Sequence, residues 1–326
     1  MNMVADQTSP TDPNGDAATA TKIAPLVSHL RSVLLGKENQ IDLVIACLLS
    51  RGHILLDDLP GTGKTTLAKA IAEGIQGRLA RVQCTPDLMP AEITGFSIFN
   101  QKTREFDFKP GPVFSDVLLA DELNRTTPRT QSALLEAMAE RQVTIDGDPH
   151  HLSKTFFVIA TQNPIDSHGA YPLPEAQLDR FSVKLQIGYP DREAQRKILQ
   201  REIREEVPTT PEVQPRAAIS LDDLESLQNQ ARSVRVQDQI LDYLIDLVEA
   251  FRDDDSIELG ISPRGMMHWQ AMAQAWALLK GRNFVTPKDV ADVAGPVLAV
   301  RLLTRGETVD NVIERVMNTV PAPEYR

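Results

Sequence analysis

The stretch "GHILLDDLPGTGKTTLAKAIAEGI" (residues 52–75) decides how the chain folds. Residues 52–58 form a short apolar run closing on two aspartates, the pattern of a buried strand. Residues 62–75 read as a helix. Between them lies "PGTGKT" (60–65). Gly61 and Gly63 lack a Cβ, so the backbone can curl there and turn its N–H groups inward around phosphates. Lys64 brings positive charge to the β- and γ-phosphates, and the Thr65 hydroxyl can bind Mg²⁺. The helix N-terminus adds its partial positive charge. Pro60, Thr62 and Thr66 complete this part of the nucleotide-binding set. Strand, glycine loop and helix in that order point to ATP and magnesium. One position departs from the pattern: Asp58 stands where the full phosphate loop has glycine. Its carboxylate either points away or repels phosphate, and the expectation is a modest weakening of nucleotide binding.

Two further strands carry polar ends. "DVLLADE" (116–122) is apolar until Asp121 and Glu122, at the C-terminal edge where ligands bind in parallel sheets. Asp121 is placed to hold the Mg²⁺ shell, and Glu122 to orient and polarise the attacking water. Phosphoryl transfer needs positioning and charge neutralisation above all, so few groups suffice. "TFFVIATQN" (155–163) ends in Thr161, Gln162 and Asn163, and an amide at that edge can hydrogen-bond the water and the γ-phosphate. Buried strands alternating with helices such as 127–141 imply an α/β core, a parallel sheet covered on both faces.

Two hairpins interrupt this alternation, one near 95–108 and one from 142 to about 156, with Asp146-Gly147 as its turn. Beyond Pro190 the chain reads as helices, at about 191–206, 221–232, 236–252, 263–280 and 287–301. Ser262-Pro263 and Thr286-Pro287 mark two helix starts, a capping hydroxyl before a first-turn proline. The expected organisation is a disordered tail (1–20), an ATP-binding core (21–190) and a helical lid domain (191–326), with a linker or long loop at 207–220.

Composition narrows the partners. The net charge of -11 repels nucleic-acid backbones, and no Lys/Arg block offsets it. The two cysteines, Cys47 and Cys84, have no metal-type spacing and read as buried thiols in a reducing compartment. The N-terminus lacks an apolar signal core, and no run is long enough to span a membrane, so the expected location is the cytoplasm. Trp269 and Trp276, seven residues apart, read as one packed helix face.

"PGTGKT", "GPVFSDVLLADELNRTTPRTQSALLEAMAERQVTI" (111–145), "FVIATQNP" (157–164), "YPLPEAQLDRF" (171–181) and "ISPRG" (261–265) follow one another in this order. The set closely resembles the MoxR family of AAA+ ATPases, in its helix-2-insert branch, along about 22–303. The resemblance implies an AAA+ αβα core with a C-terminal helical lid. It makes Asn163 the sensor-1 residue. Arg180 becomes an arginine finger offered to the neighbouring subunit's ATP, and Arg264 the sensor-2 residue reaching the γ-phosphate from the lid. Segment 34–38, with Leu35 and Gly36, would line the adenine pocket. The hairpins would be the helix-2 insert and the pre-sensor-1 hairpin. The resemblance further implies a homo-oligomeric ring, usually a hexamer, acting on a protein client by chaperone-like remodelling or metal-cofactor insertion. A von Willebrand factor A-domain protein would be its partner.

Three rivals are weighed against this reading. A nucleic-acid-remodelling ring would present basic hairpin tips, whereas "DGDPHH" (146–151) is acidic. The motor subunit of a metal chelatase differs only weakly in sequence. A nucleotide-gated scaffold with little turnover is suggested by Asp58 and opposed by Glu122, Asn163, Arg180 and Arg264.

Overall fold

Apolar runs of strand length alternate with amphipathic helices through the first half of the chain, and the computed structural model shows the resulting layers for residues 13–59, 61–163, 171–205 and 218–324. Helices α1 (Pro13–Val33) and α2 (Glu38–Leu49) precede β1 (Ile54–Asp57) and α3 (Lys64–Gly74). Then come β2 (Leu79–Gln83), α4 (Pro90–Thr94), hairpin β3–β4 (Gly95–Asn100 and Glu105–Pro110), β5 (Val117–Asp121) and α5 (Pro128–Glu140). Hairpin β6–β7 (Gln142–Ile145 and Asp148–His151), β8 (Phe157–Gln162), the single turn α6 (Glu175–Leu178) and β9 (Val183–Leu185) close the core. The rest contains α7 (Arg192–Glu205), α8 (Leu221–Ser233), α9 (Asp238–Asp253), β10 (Ile257–Leu259), α10 (Pro263–Leu279), α11 (Pro287–Leu298), β11 (Leu303–Thr304) and α12 (Val309–Met317).

The central sheet has the order β2-β5-β8-β1-β9, and every pairing is parallel. Side-chain alternation along each strand explains how it is covered. Ile54, Leu56, Val117, Leu119, Phe157 and Ile159 face one apolar layer with α1, α2, α3 and the lid. Leu55, Leu118, Ala120, Val158 and Ala160 face the other, with α5 and Ile93 of α4. Asp146 (φ 53) and Gly147 (φ 95) are both left-handed, as a two-residue hairpin turn requires.

In the lid, Ser262 and Thr286 accept the expected capping bonds from Gly265 and Asp289. Trp269 and Trp276 are buried, and Trp269 donates its indole N–H to Val290 O. The lid is helical except for the antiparallel pair β10–β11.

Two boundaries differ from expectation. The tail assigned to 1–20 is helical from Pro13; residues 1–12 lie outside the described residues. Ala17, Ala18 and Ala20 favour helix, and the same helix runs on into Ile23, Leu26 and Leu30, which are buried in the core. Of the 207–220 loop, 207–217 also lie outside the described residues. Its end is anchored, because Ala218 and Ile219 both donate to Gly74 O and Ser220 caps α8. Helix α12 had no place in the sequence reading, although Val312, Ile313 and Val316 recur at helical spacing and are buried.

His53 lies in the core just before β1. Its Nδ1 accepts from Val158 N at 3.0 Å, so the ring is neutral and Nε2 faces Met138 O at 3.3 Å. Burial, with Arg141 nearby, pulls its pKa down to about 3. Burial, with Arg301 nearby, pulls His268 down to about 4. Both rings regain a pKa of about 6.5 on unfolding, so below that pH the unfolded chain binds more protons. Stability should therefore decline as pH falls from 7 to 5, before most carboxylates titrate. A melting temperature that is flat or rising toward pH 5 would contradict this.

Candidate active site

The phosphate loop has the backbone its glycines permit. Gly61 (φ +81) and Gly63 (φ +95) are left-handed, and Gly63 forms the N-cap of α3. Thr62 Oγ1 donates to Leu59 O at 3.1 Å, so this hydroxyl shapes the loop. Lys64 Nζ donates to Asp58 O at 2.9 Å and Leu59 O at 3.1 Å, folding the ammonium back over the loop. Pro60 lies outside the described residues.

A cleft of about 470 Å³ opens at the C-terminal ends of the strands. Gly61, Gly63, Lys64, Thr65 and Thr66 line one side, and Asp121, Glu122, Thr161 and Asn163 line another. Thr161 organises the carboxylates: its hydroxyl donates to Asp121 Oδ1 at 2.7 Å and accepts from Glu122 N at 2.8 Å. Glu122 has φ 58, left-handed for a residue that carries a side chain. Such a conformation costs about 1–3 kcal/mol and clusters at functional sites.

Arg81 and Gln83 of β2 also line the cleft, and the sequence reading missed both. Arg81 pairs with Asp121 Oδ2 at 2.8 Å. Gln83 Nε2 donates to Glu122 Oε2 at 2.9 Å, and Arg125 reaches the same oxygen at 3.3 Å. Only Val82 of β2 is buried, so "LARVQ" lacks the apolar run that marked the other strands. Alternation of Leu79, Arg81 and Gln83 was the available signal.

Leu35 and Gly36 do not line this cleft. Their segment adjoins it through Leu34, 3.8 Å from a Cβ built at Gly63, and it packs against Asp191 and Ala194 beside Gly36.

Arg180 and Arg264 lie elsewhere. With Arg51, His53, Arg141 and His268 they line a second cleft of about 200 Å³. The two clefts share no residue. Arg51 and His53 precede β1, whereas the phosphate loop follows it, so the clefts sit at opposite ends of this strand. At ~3.3 Å per residue, His53 and Asp58 are about 16 Å apart. Arg264, read as reaching the γ-phosphate from the lid, therefore stands beside Arg180 at the end of β1 away from its own phosphate loop. Helix α10 packs against α2, and its capping Ser262 donates to Asp179 beside Arg180, which turns Arg264 to the Arg180 end of the sheet.

Asp58 also departs from expectation. Its carboxylate points away from the phosphates: Oδ2 accepts from Ile187 N, and Oδ1 from Gly188 N at 3.0 Å. It is 5% exposed. It satisfies two amides where the chain leaves β9 for the lid. Asp58→Gly should strand both donors, lowering stability by about 2–4 kcal/mol in urea denaturation without strengthening nucleotide binding. Unchanged stability with tighter ATP binding would restore the repulsion reading.

Residues 53–183 match the ATPase family associated with various cellular activities (AAA), and residues 249–317 match the AAA lid domain. The chain is 42% identical over 306 residues to YeaC of Bacillus subtilis, an uncharacterised protein, spanning 92% of this chain and 94% of that one. It is 38% identical over 335 residues to the protein named Chaperone MoxR1 of Mycobacterium tuberculosis, spanning 98% and 87%. A crystal structure of a protein assigned as an ATPase, from Cytophaga hutchinsonii, matches with a TM-score of 0.86 at 32% identity, covering 95% of this chain and 98% of that one. Similarity at that level along almost the whole chain, joined to a cleft lined by the phosphate loop and the Asp121 and Glu122 carboxylates, makes this protein an ATP-hydrolysing member of the MoxR family of AAA+ ATPases.

Proposed function

We propose that the protein works as a homo-oligomeric ring, with Arg180 and Arg264 of each subunit completing the phosphate cleft of its neighbour. The observation that carries this reading is the separation of the two clefts along β1. Both guanidiniums stand at the end of β1 away from their own phosphate loop, and the cleft offers the γ-phosphate an open side. Arginine supplied there neutralises charge developing in the transition state, an effect worth about 10³–10⁵ in rate in related systems. Turnover then depends on assembly.

Within one subunit the roles divide by position. Lys64 can turn from its loop carbonyls to the phosphates. Glu122 orients the attacking water, and Gln83 and Arg125 hold its carboxylate until then. Asn163 fixes the water or the γ-phosphate from β8. Thr65 and Asp121 fit a magnesium ion shared with substrate: among the described residues no cluster of three or more His, Cys, Asp or Glu forms a metal cage, and magnesium sites of this type use one or two protein oxygens plus phosphate. Bound there, magnesium would neutralise phosphate charge.

The client is read as a protein. The β6–β7 tip exposes Asp146 and Asp148, which disfavours a nucleic-acid backbone. The β3–β4 hairpin exposes Phe96, Phe99 and Phe106, suited to apolar contacts. Among the described residues no helix is long and apolar enough to cross a membrane. The proposal extends, on the family resemblance, to a hexamer that works with a von Willebrand factor A-domain partner in chaperone-like remodelling or metal-cofactor insertion.

Steady-state ATPase activity measured against protein concentration tests the proposal. Specific activity should rise with concentration. Glu122→Gln should bind ATP without turning it over, and Arg180→Ala should lose about 10³-fold in kcat. Activity independent of concentration, or an Arg180→Ala variant at wild-type rate, would sink it.

A further inference from the structure

Arg301 follows α11 and is buried, its side chain 2% exposed. Its guanidinium reaches across to the segment that carries Arg180. Nη2 donates to Phe181 O at 2.7 Å, and Nη1 to Ser182 O at 3.1 Å and Val297 O at 2.6 Å. Nε lies 3.0 Å from Asp179 Oδ1, an ion pair. The other carboxylate oxygen of Asp179 accepts from Ser262 Oγ at 2.5 Å. Ser262 Oγ also accepts from Gly265 N at 2.9 Å, capping α10, whose second residue is Arg264. One buried guanidinium thus ties the backbone just after Arg180, and the Asp179 carboxylate just before it, to the cap of the helix that carries Arg264.

Gly265 makes room for it. A Cβ at that position would fall 2.6 Å from Arg301 Nε and 2.7 Å from its Cδ. The side chains being tied are weakly held by their own contacts. Arg180 Nη1 touches Ala176 O at 3.3 Å, and Arg264 is exposed, with no hydrogen-bond or ion-pair partner among the described residues. Their aim therefore depends on where the backbone beneath them is fixed. A buried ion pair is a poor source of net stability compared with apolar packing of the same volume, because desolvation offsets its attraction. Its directional bonds specify geometry, and here the geometry is the spacing of two cationic side chains.

We propose that Arg301, acting through Asp179 and Ser262, is a positioning residue that holds Arg180 and Arg264 as one rigid pair for the neighbouring subunit's phosphate cleft. The inference rests on the trans reading given above. It requires that damage at Arg301 appear in the neighbour's turnover and leave the subunit's own nucleotide binding intact.

Arg301→Lys keeps the charge and loses the forked reach; Asp179→Asn keeps an acceptor for Ser262 and loses the ion pair. Each should reduce kcat, by about 10²-fold for a misplaced catalytic group, with ATP affinity unchanged in an equilibrium binding assay. Each variant is then mixed with Glu122→Gln subunits, which cannot hydrolyse ATP but present intact arginines. Mixing should restore turnover well above the sum of the parts, since the variant's own cleft is sound. Arg180→Ala mixed with Glu122→Gln is the control. If the control recovers activity but neither Arg301→Lys nor Asp179→Asn does, or if both variants keep wild-type kcat alone, the positioning role is overturned. If the control itself fails to recover, the trans reading falls and this inference with it.

Discussion

Parallel pairing of β1 between β8 and β9 is the constraint on which the site depends. It sends every C-terminal strand end to one edge of the sheet, so the phosphate loop after β1, the carboxylates after β5 and Asn163 after β8 converge there without any long connection. Register does the finer work. Gln83 pairs with Asp121 across β2 and β5, which leaves its amide 2.9 Å from the Glu122 carboxylate, and Leu56 pairs with Thr161 across β1 and β8. The same pairing sends the N-terminal ends to the opposite edge. Arg180 and Arg264 gather there, at the end of β1 away from the phosphate loop.

Charge in the cleft is balanced by local contacts. Asp121 and Glu122 are adjacent carboxylates, and each is matched by an arginine, Arg81 and Arg125. The left-handed backbone at Glu122 separates their directions, and Thr161 bonds to both residues. Cys84, buried close by, has its thiol pushed up to about 12, first by burial and then by these two carboxylates. It is a neutral, inert neighbour at physiological pH.

Contacts between the phosphate loop and the start of the lid offer a route for coupling. Asp58 accepts the Ile187 and Gly188 amides, Asp57 pairs with Lys184 at 2.7 Å, and Lys37 donates to Tyr189 O at 2.8 Å. A shift of the 184–189 segment would therefore be felt at both the loop and the segment before α2. Two discrete arrangements of such a junction are what nucleotide-dependent motion needs.

Local chemistry was enough to read much of this. The glycine loop, the apolar strands with polar ends and the proline-marked caps at Ser262 and Thr286 are set by short-range sterics and hydrogen bonding, so they stand in the sequence as contiguous patterns. Strand β2 was hidden because only Val82 is buried, and burial is the signal that sequence patterns carry best. The helical start at Pro13 was hidden because polar residues surround its few apolar ones, whereas α12 carried a readable apolar spacing that went unused. By itself the sequence determined which residues can bind phosphate, polarise water and cap helices, because those capacities belong to side chains and a few dihedral angles. Only the tertiary structure decided where they act: that Asp58 faces the lid junction, that Arg81 and Gln83 border the cleft, and that Arg264 stands with Arg180 away from its own loop. Those facts arise from contacts between residues 39 to 130 positions apart, and no local pattern encodes such distances.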